Sequence, residues 1–318
     1  MTATKPKPIS ELPTFTPYSY GVFFSAGALC ATLTHGAMTP LDVVKTRIQI
    51  DAAYKKDSLL SGMRRVVSTD GPRGLLTGFG PTAVGYLVQG GAKFAGYEFW
   101  KLQLCKAVGE EEAVRLRTPI YLIGASVAEF FADILLTPLE ATRIRLVSDK
   151  TYASGLVPGL TRMAREGGLR ELYAGFVPIL FKQIPFAIGQ FVTNELCHEA
   201  AYRGLGIKEE EVKALGVWQR TGIDLGSGLV AGVAAAFLSH PADTLLSQIN
   251  KGHGPTGPML SRLSSLARET GIRGLFAGLG PRTVMTAGLV SSQFLIYGRI
   301  KELLGAPKGV EIHKAHTS

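Results

Sequence analysis

Charge is scarce in this chain. Only 19% of its 318 residues are Asp, Glu, Lys or Arg, against about 25% in an ordinary soluble domain, and the mean hydropathy is positive. A water-soluble globule fits poorly; helices that turn apolar faces to lipid fit better. Cysteine is scarcer still. Cys30, Cys105 and Cys197 are odd in number and show no metal-ligand or redox spacing, which argues against a disulfide framework or a zinc site. Catalytic triads and metal clusters are absent, and GHGPTGP at Gly252 lacks the Gly-Lys-Ser/Thr ending of a phosphate-cradling loop. An enzyme, a metal site or a bound cofactor is therefore not expected. The N-terminal stretch MTATKPKPISELPTFTPY has neither a secretory apolar core nor an Arg-rich amphipathic pattern, so any organelle address is expected to be internal.

What charge there is leans basic. The 34 Lys+Arg exceed the 25 Asp+Glu, giving a formal net charge of +9 and a bias toward anions at water-facing surfaces. These residues are scattered, and no zinc, RNA-recognition or basic-helix motif accompanies them, so nucleic acid is not an expected partner. Glycine is plentiful, at 38 residues, as closely packed membrane helices require.

The chain repeats itself. PLDVVKTRIQ begins at Pro40, PLEATRIRLV at Pro138 and PADTLLSQIN at Pro241, 98 and 103 residues apart. A second shared element follows each: DGPRGLLTGFGP at Asp70, EGGLRELYAGFVP at Glu166 and ETGIRGLFAGLGP at Glu269. The units run over 13–112, 113–212 and 213–306, with tails at 1–12 and 307–318. Each offers two spans of about 20 residues: Tyr20–Thr39 and Pro81–Trp100, Tyr121–Thr137 and Pro178–Leu196, Ile223–His240 and Pro281–Ile300. Between the spans lie amphipathic stretches such as LLSGMRRVV from Leu59, expected as helices on the membrane surface. The fold expected is an all-α membrane protein of six transmembrane helices in three pseudo-threefold repeats, with short surface helices.

These elements resemble the mitochondrial carrier family, whose motif is Pro-x-[Asp/Glu]-x-x-[Lys/Arg] at the end of each odd helix followed by the Gly-containing element. The resemblance covers nearly the whole chain. It implies a multi-pass protein of the mitochondrial inner membrane, functional as a monomer, with membrane lipid such as cardiolipin as a partner and no cofactor. It also implies a matrix gate at Pro40, Asp42 and Lys45, at Pro138, Glu140 and Arg143, and at Pro241 and Asp243. Leu246 stands where the third base belongs, so one inter-helix ion pair is expected to be missing. On the even helices Tyr97, Glu98 and Lys101 match the family's cytosolic-gate pattern, with Glu195 and Lys301 in the sister repeats; Asn194, His198 and Gly298 depart from it, so this gate is expected to be incomplete.

The repeats also show where symmetry breaks. Nine residues before the prolines stand Ala31, Glu129 and Gly232; five before them stand His35, Asp133 and Ala236. A carboxylate such as Glu129 in mid-membrane is costly unless it has work to do. Glu129, Asp133 and Glu140 fall on one helical stripe, and with His35 they offer titratable groups for moving a proton. THGAMTPLDVVKTRIQ and FKQIPFAIGQF resemble the phosphate-carrying branch of the family. That resemblance implies import of inorganic phosphate with a proton, His35, Glu129 and Asp133 serving proton coupling. Substrate contact is expected from Lys182 and Gln183, which match the family's contact points, with Lys93, Gln89, Thr39 and His35 nearby. Lysine suits a compact tetrahedral anion, whereas a planar carboxylate more often calls for the arginine fork. A dicarboxylate or copper carrier on the same fold is the alternative.

Overall fold

The computed structural model describes residues 12–50, 54, 57–149, 151–206, 216–250, 259–307, 309–310 and 312. Most of the N-terminal tail, the Gly252 loop and the boundary between the second and third repeats lie outside the described residues.

Six long helices carry the structure: α1 (Pro17–Ile50), α3 (Phe79–Val108), α5 (Arg117–Ser148), α7 (Phe176–Gly204), α8 (Val217–Asn250) and α10 (Leu279–Leu303). Short helices join them: α2 (Leu59–Asp70), α4 (Glu110–Arg115), α6 (Leu156–Leu172) and α9 (Met259–Leu275). Neighbours pack in the order α1, α3, α5, α7, α8 and α10, and α10 closes back on α1. The result is a ring of six helices about a central axis. At one end α2, α6 and α9 lie against the C-terminal parts of α1, α5 and α8.

The odd helices do not stop at their prolines. Pro40, Pro138 and Pro241 are internal, and each helix runs on to Ile50, Ser148 or Asn250. The residues after each proline hold no breaker, so a single lost backbone hydrogen bond leaves the helix continuous. Glycine explains the second shared element. Gly71, Gly168 and Gly271, in equivalent positions, have φ of 73°, 61° and 64°, the left-handed region that side-chain-bearing residues avoid. There the chain leaves its surface helix and turns back into the bundle.

Burial is inverted relative to a soluble protein. Gln89, Lys93, Lys101, Glu129, Asp133, Gln190 and Gln293 are buried, while Leu33, Phe131, Val230, Val233, Phe237 and Val284 face outward. By composition α1, α5, α7 and α8 are apolar enough to cross a membrane. Helices α3 and α10, at 30 and 25 residues, extend about 45 and 37 Å, more than a hydrocarbon core of about 30 Å. Gln89, Lys93, Glu98 and Lys101 of α3 and Thr286, Ser291 and Gln293 of α10 are buried in the bundle, which keeps these charges and amides from lipid.

Small residues set the helix spacing. A Cβ on Gly232 would sit 2.5 Å from the Ala287 Cα, and one on Gly90 would sit 2.3 Å from the Ala31 Cβ. Ala31 and Gly232 are thus closely packed positions, as small-residue membrane contacts predict. At the third equivalent position stands Glu129, which opens a polar site instead.

Candidate functional site

Sites follow one another along the bundle axis. At the proline end, Arg143 joins Asp42 of α1 at 3.2 Å and its own helix neighbour Glu140 at 2.9 Å. Lys45 reaches Asp243 of α8 at 3.8 Å. These are the expected pairs between α1 and α5 and between α1 and α8. Among the described residues the third is missing, as Leu246 implied: Leu246 packs in an apolar cluster with Leu245, Ile249 and Leu263, and Glu140 turns back on Arg143. Sequence reasoning missed Arg282. From α10 it bonds Asp243 and also donates to Ser239 Oγ at 2.9 Å, so Asp243 has a cation that lies outside the motif. Its position, one residue after Pro281, was the only available signal.

The middle of the bundle holds the buried charges. Glu129 accepts a hydrogen bond from Gln89 Nε2 at 2.6 Å and lies 3.7 Å from Lys93 Nζ. Asp133, one turn on, is in side-chain contact with Glu129. Isolated, the Glu129 carboxylate or the Lys93 ammonium would be expensive at this depth; 3.7 Å apart they compensate each other. Lys93 also donates to Gln190 Oε1 at 3.4 Å and has the rings of Phe186 and Phe191 about it, each 6.0 Å from its ammonium. His35 lies flat on Tyr86 of α3, ring centroids 3.5 Å apart. Thr39 is buried and bonds back to the His35 carbonyl at 3.4 Å.

The expected substrate residues do not form one cluster. Lys182 and Gln183 are half-buried on α7. In the repeat pattern Lys182 matches Gly85, eight residues before Lys93, or about 12 Å along the axis. The field of Lys182 acts on Asp42 and Lys45 at the proline end, and on His35 and Asp133. Lys93 also acts on His35 and Asp133. Two cationic levels therefore flank His35, Glu129 and Asp133.

At the opposite end the closure is more than an ion ring. Phe94, Phe191 and Phe294 are repeat equivalents and meet edge to face, with centroids 5.1 to 6.2 Å apart. Beyond them Lys101, fully buried, binds Glu195 of α7 at 2.6 Å and Glu98 at 3.2 Å, and lies 4.4 Å from the Tyr97 ring centre. His198 stands 3.3 Å from Asp224 of α8, and Lys301 lies over the rings of Phe23 and Tyr297. The C-terminal segment supplies further contacts. The Val310 N–H donates to Glu98 at 2.7 Å, Lys101 donates to the Val310 carbonyl at 3.0 Å, and Ile312 is fully buried. A cavity of about 370 Å³ runs from the phenylalanines to Pro307, Gly309 and Val310.

Ion-paired charges, then, cap both ends of a six-helix bundle built from three repeats. The sequence matches the profile described as mitochondrial carrier protein over residues 17–107, 115–204 and 217–308. The chain belongs to the mitochondrial carrier family. Its place is the mitochondrial inner membrane. Among relatives of this carrier, mitochondrial substrate carrier family protein N of Dictyostelium discoideum is 41% identical over 92% of this chain and 95% of its own length. The probable mitochondrial phosphate carrier protein of Schizosaccharomyces pombe is 35% identical over 94% and 96%. The mitochondrial phosphate carrier protein of Caenorhabditis elegans is 35% identical over 89% and 80%.

Proposed function

We propose that this carrier moves inorganic phosphate into the matrix together with a proton, by alternate opening of its two gates. The observation that carries the reading is the buried cluster of Glu129, Gln89 and Lys93, a carboxylate and an ammonium 3.7 Å apart in mid-membrane. Relatives at 35% identity whose names specify phosphate support the cargo. Phosphate arriving at Lys93 and Lys182 competes with Glu129 for the cation, which makes protonation of Glu129 or Asp133 favourable as the anion binds. Anion and proton then travel as a pair of little net charge, and the pH difference across the membrane drives uptake.

The test is uptake of labelled phosphate into liposomes containing the pure protein, with and without an imposed pH gradient. Gradient-dependent uptake is expected. Glu129→Gln should remove the coupling; net uptake in that variant that still follows pH would overturn the proton assignment. Absence of phosphate uptake by the wild type, with uptake of a dicarboxylate or copper instead, would overturn the cargo.

A further inference from the structure

Lys93, Gln190 and Gln293 lie five residues before Glu98, Glu195 and Gly298, so they are one position repeated in the three units. All three are buried, and the structure links them: Lys93 Nζ donates to Gln190 Oε1 at 3.4 Å, and Gln190 Nε2 donates to Gln293 Oε1 at 2.7 Å. The direction of this chain is forced. Lysine has only donors, so Gln190 must present its oxygen to Lys93 and its amide N–H₂ to Gln293, which must answer with its own oxygen. The Gln293 N–H₂ is then left over, and among the described residues it has no acceptor although it is buried. The same logic fixes Gln89. Its N–H₂ serves Glu129, and its oxygen is left buried with no donor. Buried amide groups left unpaired are costly and call for a ligand or water.

We propose that Gln190 and Gln293 join Lys93 as anion ligands, and that the ring takes a tetrahedral oxyanion still bearing a hydroxyl. The proposal rests on the phosphate reading and deepens it. Lys93 supplies the charge, and the unpaired Gln293 N–H₂ donates to an anionic oxygen. Gln89 Oε1 only accepts, so it favours an anion with a proton to give. Monoanionic phosphate has two hydroxyls and two bare oxygens and serves both needs. Sulfate at neutral pH has no proton and leaves Gln89 unpaired. Because each repeat contributes one member, the ring is a symmetric station just inside the Phe94, Phe191 and Phe294 closure, about 12 Å from the level of Lys182.

The test uses the whole protein in liposomes. Phosphate uptake is measured across concentration for wild type, Gln293→Met and Gln293→Glu, with melting temperature in detergent as the check on folding. Gln293→Glu can still accept the bond from Gln190 but replaces the free donor with an acceptor, so it tests the role even where the methionine variant folds poorly. A rise of about 10-fold in KM is expected for the methionine variant and more for the glutamate. Sulfate should compete with phosphate at least about 100-fold more weakly than unlabelled phosphate does, and Gln89→Met should narrow that gap. Wild-type KM in both Gln293 variants would overturn the ligand role while leaving phosphate transport standing. Sulfate competing as well as phosphate would overturn the hydroxyl selection. A wild type that takes up no phosphate would overturn the functional reading and this inference with it.

Discussion

Lys101→Met is the sharpest probe of how the carrier closes the Lys101 end of its bundle. Lys101 is 1% exposed and gathers Glu195 at 2.6 Å, Glu98 at 3.2 Å and the Val310 carbonyl at 3.0 Å. Methionine keeps the bulk and removes the cation that lies between two carboxylates. Breaking a buried pair from one side costs about 3–5 kcal/mol, because the partner is left charged and dry. For a chain of this size about 2 °C of melting temperature answers to each kcal/mol, so a fall of roughly 6–10 °C is expected. A thiol-reactive fluorophore reads it, since Cys30 and Cys105 are fully buried and become reactive as the bundle loosens. Adding Glu195→Gln should restore more than half of the loss, because Glu98 keeps its bond from the Val310 N–H. A melting temperature within about 2 °C of wild type, or no recovery in the double variant, would refute the view that Lys101 holds α3, α7 and the C-terminal segment together.

Two further outcomes follow from geometry. Gly232→Val forces a side chain into the crossing of α8 and α10, where a Cβ alone would sit 2.5 Å from the Ala287 Cα; a loss of about 1–3 kcal/mol or more is expected in thermal melts, with transport falling in parallel. Arg282→Leu leaves Asp243 with Lys45 at 3.8 Å, so the closure at the proline end should weaken without failing. Single-cysteine labelling from the side of the liposome that the proline end faces should then rise at positions on the axis, and unchanged labelling would show that Arg282 does not hold this end closed.

The sequence by itself determined the architecture. Proline motifs recurring at Pro40, Pro138 and Pro241, with a glycine element after each, are local signals: proline and glycine constrain the backbone wherever they stand. They announced three repeats, six spans and the surface helices, and they located Glu129 as the exception among small residues. The missing base at Leu246 was legible for the same reason. Extension of the odd helices beyond their prolines was not, because one lost hydrogen bond does not end a helix that its flanking residues support.

Only the tertiary structure decided which groups meet across the axis. Arg282 lies 39 residues from Asp243, and Lys101 lies 209 residues from the Val310 carbonyl. Nothing in the chain near either residue specifies the partner. The phenylalanine ring and the hydrogen-bonded chain from Lys93 to Gln293 are visible as repeat positions once helix phase is known, but their contacts depend on how far six helices lean inward. That distance is set by glycine and alanine packing at Gly90, Ala31 and Gly232. Local chemistry chose the helices, and the closeness of their packing chose the site.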